Sequence, residues 1–205
     1  MKDPTRKTGR PRTFDADTAL DNAMKVFWQK GYEGSSLPEL TEAMGMNRPS
    51  MYAVFGNKEN LFRLALERYG VIHDPLLDAA LKEPTARGVV EHLLRGNAHT
   101  LTGEATPRGC MVINGALACS DDALPIRQSL IDRLAAAEVR LRARFERARD
   151  EGDLPPDLLP EQVAKLVTTT SNGIAVQAAA GASREQLQGV VDLVLRSFPS
   201  VSPSR

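Results

Sequence analysis

Ser36-Leu37-Pro38-Glu39-Leu40-Thr41-Glu42-Ala43-Met44-Gly45-Met46-Asn47-Arg48-Pro49-Ser50-Met51-Tyr52-Ala53-Val54-Phe55 reads as two short helices on either side of a glycine turn. Ser36 and Glu39 have the S-x-x-E spacing of a capping box, and Pro38 falls in the first turn, where its missing N–H costs nothing. Leu37, Leu40 and Met44 form the inward stripe of this helix, which ends at Gly45. Asn47 can cap the next helix, Arg48 to about Phe55, whose Pro49 again lies in the first turn. Upstream, Asp15 or Asp17 can cap a helix with Leu20, Ala23, Met24, Phe27 and Trp28 on one face and Gly31 as its stop. Downstream, Gly56-Asn57 breaks the chain and Lys58 opens a fourth helix running to about Ile72.

The remaining segments have apolar residues at three- and four-residue spacing and no sustained alternation, so the predicted fold is all-α. Asp74-Pro75 and Pro84-Thr85 are read as punctuation around a short helix. Further helices are expected at about 86–101, at 110–119 after a loop from Gly103 to Gly109, and at about 124–151 after a cap at Asp122. In the last of these, Ile126, Leu130, Leu134, Leu141 and Phe145 point inward and the arginines point to solvent. Two final helices are expected at about 160–180 and, after the Ser183–Gln186 capping box, at 184–198.

The chain has 205 residues, 42% hydrophobic and 25% charged, enough to bury a core without disulfides. No apolar run approaches the length that spans a bilayer, so no membrane association is expected. Met1 to Lys7 is basic but leads into more charge, unlike a secretory signal, and a cytoplasmic setting is expected. Lysine and arginine together number 26, matching the 26 acidic residues, so any attraction to a polyanion must be local. Residues 1–12 are read as a basic flexible arm, in which Lys2, Arg6, Lys7, Arg10 and Arg12 face Asp3 alone; either a solubilising tail or a phosphate-seeking arm fits. Residues 13–58 are read as a helix-turn-helix domain of three helices, 59–198 as a helical effector-binding and dimerisation domain, and 199–205 as a flexible tail.

The helix pair is suited to DNA. A helix N-terminus offers free N–H groups to phosphate, and Arg48, Pro49 and Ser50 at that end can approach base edges, arginine pairing bidentately with guanine. Tyr52 and Lys58 lie where a hydroxyl and an ammonium could hold the flanking backbone. A helical hairpin with no binding role remains the alternative.

The run Gly31-Tyr32 … Ser36 … Gly45-Met46 … Pro49-Ser50-Met51-Tyr52 … Phe55-Gly56-Asn57-Lys58-Glu59-Asn60-Leu61 resembles the DNA-binding domain of the TetR family of transcriptional regulators. The resemblance implies phosphate contacts from Ser36, Tyr52 and Lys58, and bases facing Arg48, Pro49 and Ser50, with Asn47 at the head of the reading helix. Pro38 departs from the pattern, since members often carry a polar or basic residue there. The resemblance further implies a homodimer paired through the last two helices, a palindromic double-stranded DNA operator, and an unidentified small-molecule effector. The small residues Thr168 to Gly173 and Ala178 to Ala180 agree with close helix approach, within one chain or between two.

For the effector, the scarcity of late aromatics favours a small or aliphatic molecule over a flat cationic one. Candidate contacts are Cys110, Asn114, Phe145 and Asn172. Arg108-Gly109-Cys110-Met111-Val112-Ile113-Asn114 resembles the G-C-hydrophobic stretch of a TetR subgroup that includes electrophile-responsive repressors, which makes Cys110 a candidate thiol sensor; a buried inert cysteine is the alternative. Cys110 and Cys119 are expected to remain free thiols. His92 and His99 lie about 10.5 Å apart along a helix, too far to share a metal. No cofactor, metal or catalytic residue is expected. Two competing readings are an enzyme with Cys110 as nucleophile and His92 or His99 as base, and an architectural DNA-binding protein without an effector.

Overall fold

The computed structural model describes residues 15–118, 123–196 and 198. Arg10, Arg12, Cys119, Asp122 and the 199–205 tail lie outside the described residues. Among those described, every regular element is a helix: α1 (Ala16–Gly34), α2 (Leu37–Ala43), α3 (Arg48–Phe55), α4 (Lys58–Ala80), α5 (Ala86–Thr100), α6 (Met111–Ala118), α7 (Leu124–Asp150), α8 (Pro160–Ala179) and α9 (Arg184–Arg196).

Side-chain caps define most of the helix starts. Asp15, not Asp17, caps α1, accepting from the Asp17 N–H. The Ser36 hydroxyl and Glu39 carboxylate form the reciprocal box at α2, Asn47 accepts from Ser50 N at 2.9 Å, and Asn57 accepts from Asn60 N at 2.8 Å. Thr85 and Ser183 do the same for α5 and α9. Inside α1, Gly31 takes φ 70°, so the regular helix breaks where its glycine was expected to stop it. Gly45 at φ 67° makes the turn between α2 and α3, a left-handed conformation that glycine adopts without the Cβ penalty.

One expectation fails at Pro75: α4 runs unbroken through Asp74-Pro75 to Ala80. The proline removes only the hydrogen bond to the turn around Val71, which is exposed and open to water. Ion pairs Asp74–Arg133 (2.6 Å) and Asp78–Arg140 fasten the second half of α4 to α7. The arginine face of α7 is therefore only partly solvated, and Arg144 is buried, donating to the carbonyls of Glu83 and Pro84.

Two hydrophobic cores meet in the middle of the molecule. The first gathers Phe27, Trp28, Leu40, Met51, Leu61 and Phe62 from α1–α4 with Met111, Ile126 and Leu130 from α6 and α7. The second gathers Leu94, Leu141, Phe145, Val167, Ile174 and Val191 from α5, α7, α8 and α9. Cys110 and Leu134 pack against both. Packing is thus continuous from α1–α4 into the C-terminal bundle.

Candidate functional site

The first site begins with what the three-helix core leaves outside. Met51 and Phe55 anchor α3 inward, so Arg48, Pro49, Ser50 and Tyr52 on its remaining faces are exposed. The Asn47 side chain is committed to the cap, and that cap holds the first turn of α3 open at its N-terminal end. Ser36 is exposed, with its hydroxyl 2.8 Å from Glu39 Oε2. Lys30, followed by the backbone N–H and hydroxyl of Ser36, holds the Glu39 carboxyl down to about 2, which keeps the box ionised and ties α1 to α2. Lys58, at the start of α4, has its ammonium 4.6 Å from the centre of the Tyr32 ring, and partial burial lowers its pKa. These groups cluster around one short helix with no acidic residue in its first turn, an arrangement that can meet a phosphate backbone.

The second site is a cavity of about 490 Å³ between α4, α5, α7 and α8, walled by Leu76, Leu93, Ile113, Leu134 and Ala175 among others. Cys110 and Asn172 line it; Asn114 and Phe145 do not, and Phe145 is fully buried in the second core. At the end nearest α1, the Tyr69 hydroxyl donates to Cys110 Sγ at 3.3 Å. Burial holds Tyr69 well above the ordinary tyrosine range, so this donor stays protonated. The Tyr69 ring stacks on His73 at 4.1 Å, and Trp28 meets both edge-on. The Trp28 indole N–H donates to the Gly109 carbonyl at 2.9 Å, directly before Cys110 in the chain. On the far side, Arg108 donates to the carbonyl of Ala178 near the end of α8. The segment 108–110 therefore touches the first core, the cavity and α8 together.

Comparison with known proteins agrees with this architecture. Residues 19–65 match the model of bacterial regulatory proteins of the tetR family, and residues 89–194 match the tetracyclin repressor-like C-terminal domain. The HTH-type transcriptional repressor ComR of Escherichia coli (strain K12) is 35% identical over 200 residues, covering 96% of this chain and 94% of its own. The chain belongs to the TetR family. Two solved structures of cysteine mutants of the TetR family regulator CifR, each complexed with 26-bp double-strand operator DNA, are 42% identical, with TM-scores of 0.85 and 0.87. They cover 93% of this chain and 100% of theirs.

As a TetR-family member the protein is a DNA-binding transcriptional regulator, not an enzyme. Neither His92 nor His99 lines the cavity beside Cys110, and His92 is paired with Glu83 at 2.7 Å. Among the described residues no three His, Cys, Asp or Glu side chains gather to hold a metal, and no helix is long and apolar enough to cross a membrane. Sequence reasoning missed His73, Arg133 and the Trp28–Gly109 contact. The four-residue spacing of Tyr69 and His73 on one helix face was the available signal for the first. Arg133 had a fainter one in Gly70, over which its guanidinium passes to reach Asp74, an added Cβ lying 2.3 Å from Arg133 Nη2.

Proposed function

We propose that this TetR-family regulator is a homodimeric repressor working in the cytoplasm. It binds an inverted-repeat operator through α3 and leaves it when a small molecule or a thiol-reactive electrophile engages the cavity. The exposed N-terminal end of α3, with Arg48 and Ser50 outward and Asn47 as cap, carries the DNA reading: Arg48 selects bases, while Ser36, Tyr52 and Lys58 hold phosphates, joined by Arg10 and Arg12 of the arm. Kinship with a repressor and with operator-bound relatives supports it. Pairing through α8 and α9 is supported by an outer face where Leu166, Val176, Val190 and Leu193 are exposed, while a Cβ at Gly173 or Gly189 would meet open space. A partner helix can approach such a face closely. The release reading rests on the cavity and on Cys110, which lines it and whose Sγ accepts from the Tyr69 hydroxyl.

The test is binding to DNA upstream of the protein's own gene at fixed moderate salt. Wild type is expected to bind tightly, Arg48→Ala to lose about 1–3 kcal/mol and its preference for that sequence, and N-ethylmaleimide to release wild type but not Cys110→Ser. Sequence-independent binding by the wild type would overturn the operator reading, and equal release of Cys110→Ser would remove the thiol arm.

A further inference from the structure

Met51 and Phe55 anchor α3 in the first core, and at about 100° per residue the position diametrically opposite the midpoint between them is Ala53. Pro49 and Ser50, one helical turn before it, share that outer face, and all three are exposed. Tyr52 and Val54 stand to either side. No residue from 49 to 54 carries a charge, so the outer face itself can hydrogen-bond to a base only through the Ser50 hydroxyl. A helix with its side chains is about 10–12 Å across and the major groove is about 12 Å wide, so a stripe of such short side chains lets the helix lie close to the base edges. The apolar group that base edges present in that groove is the thymine 5-methyl, and alanine is among the side chains that meet it.

We propose that Ala53 is a specificity-determining residue whose methyl packs on the 5-methyl of a thymine in each operator half-site. The half-site is then read twice from one helix, at a guanine by the Arg48 guanidinium and at a thymine by apolar contact. Ala53 has no polar atom with which to hold a phosphate, so its share in recognition is apolar burial alone. The assignment rests on the reading of α3 as the helix that enters the groove, and its test separates the two.

The full-length protein is footprinted on the DNA upstream of its own gene. Each thymine of the protected half-sites is then replaced, symmetrically and one position at a time, by deoxyuridine, which lacks only the 5-methyl, and affinity is measured at fixed moderate salt. At one position wild type is expected to weaken about fourfold per half-site, the worth of one buried methyl. The slope of log affinity against log salt is expected to stay the same, because no phosphate contact is lost. Ala53→Gly is expected to bind thymine and uracil at that position equally. The thymine-to-uracil ratio is taken within each variant, so any weakening of α3 by glycine cancels. Ala53→Gln keeps a good helix former at an exposed position; it is expected to fold like wild type by circular dichroism and to bind the operator about tenfold or more weakly, its longer side chain holding the helix off the bases. Indifference of wild type to uracil at every thymine, a uracil penalty that persists in Ala53→Gly, or wild-type affinity in Ala53→Gln overturns the proposal. Arg48→Ala on the same duplexes tests α3 itself. Retained preference for the operator sequence overturns the α3 reading and the Ala53 assignment with it, whereas lost preference beside wild-type indifference to uracil overturns the thymine contact alone.

Discussion

His73 carries a stability cost that pH can expose. Its imidazole is packed between Tyr69 and Trp28, and desolvation lowers its pKa from the ordinary 6.5, with Asp74 opposing and Arg133 adding to the shift. The unfolded chain therefore binds a proton more readily than the native one. His73's share of stability is complete above about pH 6.5 and is lost as pH falls through that value toward the lowered native pKa. Urea unfolding from pH 8 to 5 is expected to give a falling free energy in that window, and His73→Phe to flatten the slope. An unchanged slope would mean that other groups carry the acid sensitivity.

At the scale of the element, α3 has eight residues and could not persist alone in water, so its cap and its two anchors, Met51 and Phe55, decide whether it exists. Asn47→Ala removes the acceptor for Ser50 N and is expected to cost about 1 kcal/mol in denaturant unfolding. Asn47→Asp keeps an acceptor but adds a negative charge where phosphate is expected, so stability should hold while operator affinity falls. If both variants bind DNA like wild type, the N-terminal end of α3 is not at the backbone. The continuous α4 works at this scale too. It begins in the first core at Leu61 and Phe62, passes the cavity at Tyr69 and His73, and ends in the second core at Ala80.

At the scale of the whole molecule, segment 108–110 makes polar contacts with α1, α4 and α8, of which Trp28–Gly109 is the buried one. Trp28→Phe keeps an aromatic ring but strands the Gly109 carbonyl, an expected cost of about 1–3 kcal/mol. Gly109→Ala should cost more. Its φ of 82° disfavours any side chain, and the new Cβ would lie 2.8 Å from Ala179 Cβ and 3.1 Å from the Ala175 carbonyl. Because Cys110 and Leu134 belong to both cores, circular dichroism and Trp28 fluorescence are expected to report one coincident unfolding transition. Separated transitions would show that the two cores unfold independently.

Residue order alone determined the helical class, the caps at Ser36, Asn47 and Ser183, the breaks at Gly31 and Gly45, and the placing of Arg48, Pro49, Ser50 and Tyr52 on one short helix. Each of these depends on neighbours within four positions, and local hydrogen bonding and periodicity write such features directly into the chain. Tertiary structure decided the rest. Pro75 sits inside a helix whose second half packs into the second core through Leu76, Leu77 and Ala80, and Phe145 is buried in that core instead of lining the cavity. His73 meets Tyr69 by helix spacing, but its burial against Trp28 and the hydrogen bond from Tyr69 to Cys110 arise from chain separations of 41 or more residues, which no local pattern specifies.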